Sequence, residues 1–206
     1  MMLEKLVVFV EEPSMEVALE QLLPKMMGKV EFEFRRFQCK DDLLKNLPKR
    51  LRGYKNWMPD TWKILVLLDR DDDDCILLKQ GMETEAEKAG LITKATAKQG
   101  QIFQVINRIV IEELEAWFFG DWQAVREAYP RISKTTPKNK KYRDPDAIQG
   151  GTWEAFERVL QKAGYFREGL RKLECAGAVA RHMCPERNVS NSFQAFREAV
   201  AATLRG

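Results

Sequence analysis

The sequence predicts an α/β fold built on a mainly parallel sheet, and three observations carry that expectation. Two short runs, Leu6–Val10 (LVVFV) and Ile64–Leu68 (ILVLL), are wholly apolar, the pattern of strands buried on both faces. Both stop abruptly on acids: Glu11 and Glu12 after the first, Asp69 after the second. Segments of helical spacing separate and follow them, giving the strand–helix alternation of a layered domain.

Each element follows in order. Pro13 and Ser14 open a first helix with Ser14 as its expected cap. Met15, Leu19, Leu22, Leu23 and Met26 recur at helical spacing, with Pro24 expected to kink the last turn and Gly28 to end it. Val30–Phe37 alternates apolar and charged residues, which marks an edge strand with one solvated face. Asp41–Leu51 reads as a short helix interrupted by Pro48, followed by a basic loop, KRLRGYKNWMPDTW, that carries Tyr54, Trp57 and Trp62. Its Lys49 and Arg50 beside aromatics suit phosphate contact and base stacking, although tryptophans tucked against the core are the simpler account. A helix is expected from about Asp74 to Ala89, ended by Gly90, and a strand over Ile102–Ile111.

From Glu112 the chain turns helical through EELEAWFFGDWQAVREAYP and stops at Pro130. On a wheel, Ile111, Leu114, Trp117, Phe118 and Phe119 form an apolar arc with Glu115 inside it and Glu113 nearly opposite. An acid inside an apolar face needs a partner or a purpose. Lys134–Asp146 is polar, basic and aperiodic. It separates an α/β core over 1–130 from a helical C-terminal extension over 151–206, packed on that core, with a basic loop over 131–150 between them. Helices are expected around Trp153–Ala163, Gly169–Met183 and Asn191–Leu204.

Composition narrows the class. The chain has 206 residues, 45% hydrophobic and 32% charged, which suits a globular domain rather than a disordered one. A net charge of +3 makes no global demand for nucleic acid, so local clusters matter more than the sum. Neither a secretory pattern nor a membrane span is expected. Cys39, Cys75, Cys175 and Cys184 are widely spaced, as in a reduced cytoplasmic protein, and the His182–Cys184 pair lacks two further ligands for zinc.

The acid run after the second apolar stretch carries the chemistry. Asp69, Asp71, Asp72, Asp73 and Asp74 put five carboxylates in six residues, with only Arg70 between them. Such charges repel unless water, arginine or a metal ion compensates. If the two apolar strands are neighbours, Glu11 and Asp69 converge at the carboxyl edge of the sheet, where open α/β sheets gather ligands. Asp71 lies two residues on and points the same way if the chain stays extended. An oxygen-only cluster suits Mg²⁺ or Mn²⁺. Asp72 and Asp74 are assigned to the start of the next helix or to solvent. An EF-hand loop fails because Asp74 and Gln80 stand where glycine and glutamate are required. A haloacid-dehalogenase-like phosphatase and a response-regulator receiver lack the residues that should follow their strand acids.

Glu at the end of one strand with DxD at the end of a later one resembles the Toprim domain of topoisomerases, DnaG-type primases and overcoming-lysogenization-defect nucleases. Phe9–Leu19 (FVEEPSMEVAL) and Leu67–Asp73 (LLDRDDD) carry that resemblance, with Glu12 standing where Toprim domains have Gly. VEEPSMEVALEQLLPKM, LLDRDDDDC, ELEAWFFGD and SNSFQAF, spanning nearly the whole chain, look like the bacterial family designated domain of unknown function 4276, grouped with Toprim-like proteins. The resemblance implies a Toprim-like, Rossmann-like sheet and Mg²⁺- or Mn²⁺-dependent phosphodiester cleavage, in a setting of defence against phage or plasmids. It implies Glu11 as general acid or base and Asp69 and Asp71 as metal ligands, with Asp73, Glu115 and the fallback Glu113 as further candidates. Lys138, Lys140, Lys141 and Arg143, with Lys49 and Arg50, are expected to hold the nucleic-acid backbone. The rivals are a non-catalytic subunit binding nucleic acid or an ATPase, and a small-molecule phosphatase. The chain has no phosphate-binding loop of the GxxxxGK[ST] type, so an ATPase partner would be a separate chain. The partners expected are therefore nucleic acid, such an ATPase and a second copy of the chain, with no membrane.

Overall fold

Successive residues of a strand face opposite sides of its sheet, so a wholly apolar strand needs cover on both. The computed structural model, which describes residues 2–71 and 73–205, supplies that cover with helices on each face. Its strands are β1 (Lys5–Val10), β2 (Glu31–Arg36), β3 (Trp62–Asp69) and β4 (Val105–Val110). All pair in parallel, in the order β2-β1-β3-β4. The helices are α1 (Pro13–Met27), α2 (Lys40–Lys55), α3 (Cys75–Lys88), α4 (Leu114–Gly120), α5 (Trp122–Ala128), α6 (Thr152–Lys162), α7 (Lys172–His182) and α8 (Asn191–Arg205).

Leu6, Val8, Val10, Leu65 and Leu67 enter one core with residues of α1 and of α4 to α8, while Val7, Phe9, Ile64, Val66 and Leu68 meet α2 and α3 on the other face. The protein is therefore an α/β layer fold with an all-parallel four-stranded sheet flanked by helices. The helices expected of the C-terminal extension supply much of one layer, with α7 packed on α1 and α5, and α8 packed on β4. Lys63, buried at the start of β3, donates to the Thr203 carbonyl at 3.2 Å and lies 3.9 Å from the centre of the Phe103 ring, tying α8 to the sheet. No helix among the described residues is long and apolar enough to cross a membrane.

Several boundaries differ from expectation for identifiable reasons. Pro48 does not interrupt α2, because Leu43, Leu47, Leu51 and Tyr54 form a buried stripe that holds the helix through it. Lys49 and Arg50 consequently lie on a helix rather than in a basic loop. Glu12, not Ser14, is the N-cap residue of α1, with Pro13 at the first helical position. The last strand begins at Val105, three residues later than expected. The segment read as one helix from Glu112 to Pro130 divides at Asp121. That buried carboxylate accepts from the Ala124 amide, from the Cys184 amide at 2.8 Å and from Arg187 Nε and Nη2 at 2.7 and 3.0 Å. The basic loop is organised as three single 3-10 turns at Thr136–Lys138, Lys140–Tyr142 and Pro145–Ala147, and Tyr142 stacks on Phe119.

Ser192, at the start of α8, fastens that helix to the layer. Its hydroxyl accepts from the Ile111 amide at 3.0 Å and from the Trp117 indole at 3.2 Å. Ser192→Ala strands both donors and is expected to cost about 2 kcal/mol, seen as a fall in melting temperature of about 4–8 °C. An unchanged melting temperature would show that α8 is held by its aromatic stripe alone.

Candidate carboxylate site

Parallel pairing sets Phe9 opposite Val66, so the chain leaves β1 and β3 side by side at one edge and delivers Glu11 and Asp69 there. Glu115 arrives from α4, which follows β4 at the same edge. The three are only 8%, 7% and 4% exposed. Burial disfavours their charged forms, and each adds to the field at its neighbours. Glu11 is pushed up to about 7 by burial first, then by Asp71 and Glu12, with Lys40 pulling the other way. Glu115 is also pushed up to about 7, by burial against the opposing charge of Lys172, with Glu113 adding to the rise. Asp69 is held well above the usual carboxylate range by burial and then by Glu11, Glu12, Glu115 and Asp71. One oxygen of the set, Glu11 Oε2, is buried without a hydrogen-bond partner.

The acids beyond β3 divide by role. Asp71 does not continue the extended strand. Its φ is +48°, a left-handed conformation that Asp tolerates better than most residues. The turn carries its carboxylate to Lys40 Nζ at 2.6 Å, and the same ammonium holds Asp73 at 2.7 Å and the Arg70 carbonyl at 3.2 Å. Asp74 caps α3 by accepting from the Ile76 and Leu77 amides, as expected of a residue that starts the next helix. Asp72 lies outside the described residues. Glu112, also at positive φ (+64°), pairs with Arg70 and ties the ends of β3 and β4 together. Backbone held in sparsely populated regions at two residues of one edge is the kind of stored strain found at functional sites.

Glu113 and Glu115 separate as the wheel indicates. Glu113 accepts from the Thr152 hydroxyl at 2.8 Å and the Trp153 amide at 2.9 Å, so it caps α6. Glu115 is buried instead, and its charge is felt at Asp69. Glu12 sits at φ −113° and ψ 144°, ordinary extended backbone, so the position does not require the glycine of the Toprim pattern. Its carboxylate accepts from Ser14 at 2.9 Å and lies 3.8 Å from Lys172 Nζ.

Two lysines that the sequence did not single out complete the site. Lys40 reaches it from the first turn of α2, and Lys172 from the first turn of α7. Burial pulls Lys172 down, but Glu12, Glu115, Glu113 and Asp69 outweigh it and leave the ammonium raised. Lys40 was open to discovery, since helix N-termini and strand carboxyl ends share one edge in a parallel sheet. Lys172 had no such signal, because it depends on the long-range docking of α7 onto α1. Lys49 and Arg50 stand apart, roughly 13 Å or more along α2 from Lys40, where they line a basic recess with Arg35, Tyr54 and Trp57. Lys138, Lys140, Lys141 and Arg143 are exposed on the loop of 3-10 turns.

Among the described residues, no three His, Cys, Asp or Glu side chains are grouped to hold an ion as they stand; Asp71 and Asp73 are turned onto Lys40. The donor set itself is all oxygen, and Glu11 Oε2 is buried without a hydrogen-bond partner, so the residues fit a hard divalent cation.

Fold and site together define an α/β protein with a buried carboxylate cluster at the carboxyl edge of a parallel sheet. The chain belongs to the family described as a domain of unknown function (DUF4276), whose model matches residues 10–201. Neither the curated proteins nor the solved structures gave a match.

Proposed function

We propose that the carboxylate site cleaves phosphodiester bonds of nucleic acid with Mg²⁺ or Mn²⁺, in the manner of the Toprim domains that the sequence resembles. The observation that carries this reading is the burial of Glu11, Asp69 and Glu115, with Asp69 in the field of both glutamates. They come from three separate segments, each less than a tenth exposed, and one buried oxygen among them is unpaired. Desolvating such a set costs several kcal/mol for each ionised group, an expense that a purely structural role does not explain.

A bound divalent cation would orient the phosphate, acidify a water and neutralise charge on the leaving oxygen. Asp69 and Asp71 would hold the cation, Asp71 being paired with Lys40 in its absence, and Glu115 or Asp73 would supply further oxygens. Glu11, pushed up to about 7, is poised to exchange a proton near neutrality. Lys40 and Lys172 flank the cluster with positive charge that attracts a phosphate. The test is cleavage of plasmid and single-stranded substrates with either metal, by wild type and by Asp69→Ala. Equal cleavage by the two proteins sinks the assignment.

A second reading has its own observation. Lys40 already neutralises Asp71 and Asp73, which suits a non-catalytic subunit that binds nucleic acid or a separate ATPase chain. The ordinary backbone at Glu12 removes one reason for preferring it. Calorimetric titration with Mg²⁺ and Mn²⁺ separates the two, since absence of binding at millimolar metal favours the subunit.

A further inference from the structure

A cavity of about 720 Å³ opens between the basic loop and the C-terminal half of α6. Its lining contains four cations, Arg131, Lys138, Arg158 and Lys162, together with the hydroxyls of Ser133 and Thr136, and no Asp or Glu. Among the described residues, none of the four cations stands within ion-pair distance of a carboxylate. Arg131 is held in place, donating to the Gly164 carbonyl at 3.1 Å and lying 4.1 Å from the centre of the Tyr165 ring. Four like charges around one concavity create a positive potential that favours an anion there. Guanidinium forks and lysine ammonium groups together match the oxygens of a phosphate group.

The positive charge continues beyond the cavity. Lys140, Lys141 and Arg143 follow Lys138 along the loop, all exposed. The far end of the loop is anchored by Asp146, which accepts from the Ser190 hydroxyl at 2.7 Å and the Asn191 amide at 2.6 Å. Ser192 in turn holds the Ile111 amide, one residue before the Glu112–Glu115 segment that enters the carboxylate site. A run of exposed cations thus begins at the cavity and continues along the loop to Arg143. A small phosphate ester needs the cavity alone, whereas a polyanion uses the whole run.

We propose that this cavity seats a backbone phosphate of the nucleic acid, apart from the bond cleaved. The polymer's identity rests on the function proposed above; the phosphate chemistry of the cavity does not. The experiment measures binding of a fluorescent single-stranded oligonucleotide across a salt series. It compares wild type, the charge-reversed Arg158→Glu/Lys162→Glu and the charge-conserving Arg158→Lys/Lys162→Arg, each checked for an unchanged melting temperature. Charge reversal is expected to weaken binding by about tenfold or more and to lower the slope of log affinity against log salt by about 0.7, the contribution of one single-strand phosphate contact. The charge-conserving protein should keep both values. Equal affinity and slope in wild type and the charge-reversed protein overturn the proposal. Binding of inorganic phosphate or pyrophosphate without oligonucleotide binding also overturns it, leaving a small phosphate ester as the ligand. Loss of oligonucleotide binding on charge reversal, in a wild type that does not cleave, supports the cavity assignment while sinking the nuclease reading.

Discussion

Asp69→Asn is expected to lose metal-dependent cleavage by at least about 100-fold and yet to be more stable than the wild type without metal. Removing a residue that merely orients a metal ligand costs about 10- to 100-fold in affinity or activity, so replacing a ligand itself should cost at least the upper figure. The gain in stability has a separate cause. Asp69 is buried against Glu11, Glu12, Glu115 and Asp71, all of which disfavour its charge. Asparagine keeps the shape and omits the ionisable group, which removes the penalty that burial and four neighbouring acids place on Asp69. For a domain of this size each kcal/mol moves the melting temperature by about 2–4 °C. Melting curves in EDTA at pH 7.5, beside cleavage assays, read both effects. A less stable Asp69→Asn would mean that its carboxylate is compensated within the fold.

Stability without metal is expected to fall as pH rises from about 5.5 to 8. Glu11 and Glu115 keep their protons to about pH 7 in the folded protein, against an ordinary value of 4.5. Between those limits the folded state binds more protons than the unfolded one, so raising the pH favours unfolding. The stabilisation is complete below the unfolded value, declines through the interval and is lost above the folded value. From pH 5.5 to 7 the loss is about 2 kcal/mol for each group. Metal reverses the trend, because it competes with protons for the carboxylates. Mn²⁺ at a hundred times its dissociation constant adds about 2.7 kcal/mol, and the addition should be larger at pH 8 than at pH 5.5. Thermal melts at both values, in EDTA and in Mn²⁺, measure this; stability that is flat or rising with pH in EDTA contradicts it.

The sheet was legible because a short, unbroken apolar run suits a strand buried on both faces, and the ending of two such runs on Glu11 and Asp69 followed from strand direction. Glu115 was legible because an acid in an apolar arc has a phase that a wheel reads. Asp71 was misread in geometry, since nothing in the run of acids announces the left-handed turn that hands it to Lys40. The break at Asp121 was hidden for a similar reason. Its partners Cys184 and Arg187 are 63 and 66 residues away. Pro48 misled in the opposite direction, as a local penalty outweighed by the buried stripe of α2.

The docking of α7 has a consequence for how the protein is made. Cys175 of α7 lies in the field of Glu115, and Lys172 at the start of that helix feels Glu12, Glu115, Glu113 and Asp69. A chain emerging from the ribosome displays Glu11, Asp69 and Glu115 long before α7 exists. Until α7 has been synthesised and docked, the site lacks Lys172, the cation that opposes the effect of burial on Glu115. The full balance of charge around the acids is therefore assembled late in synthesis.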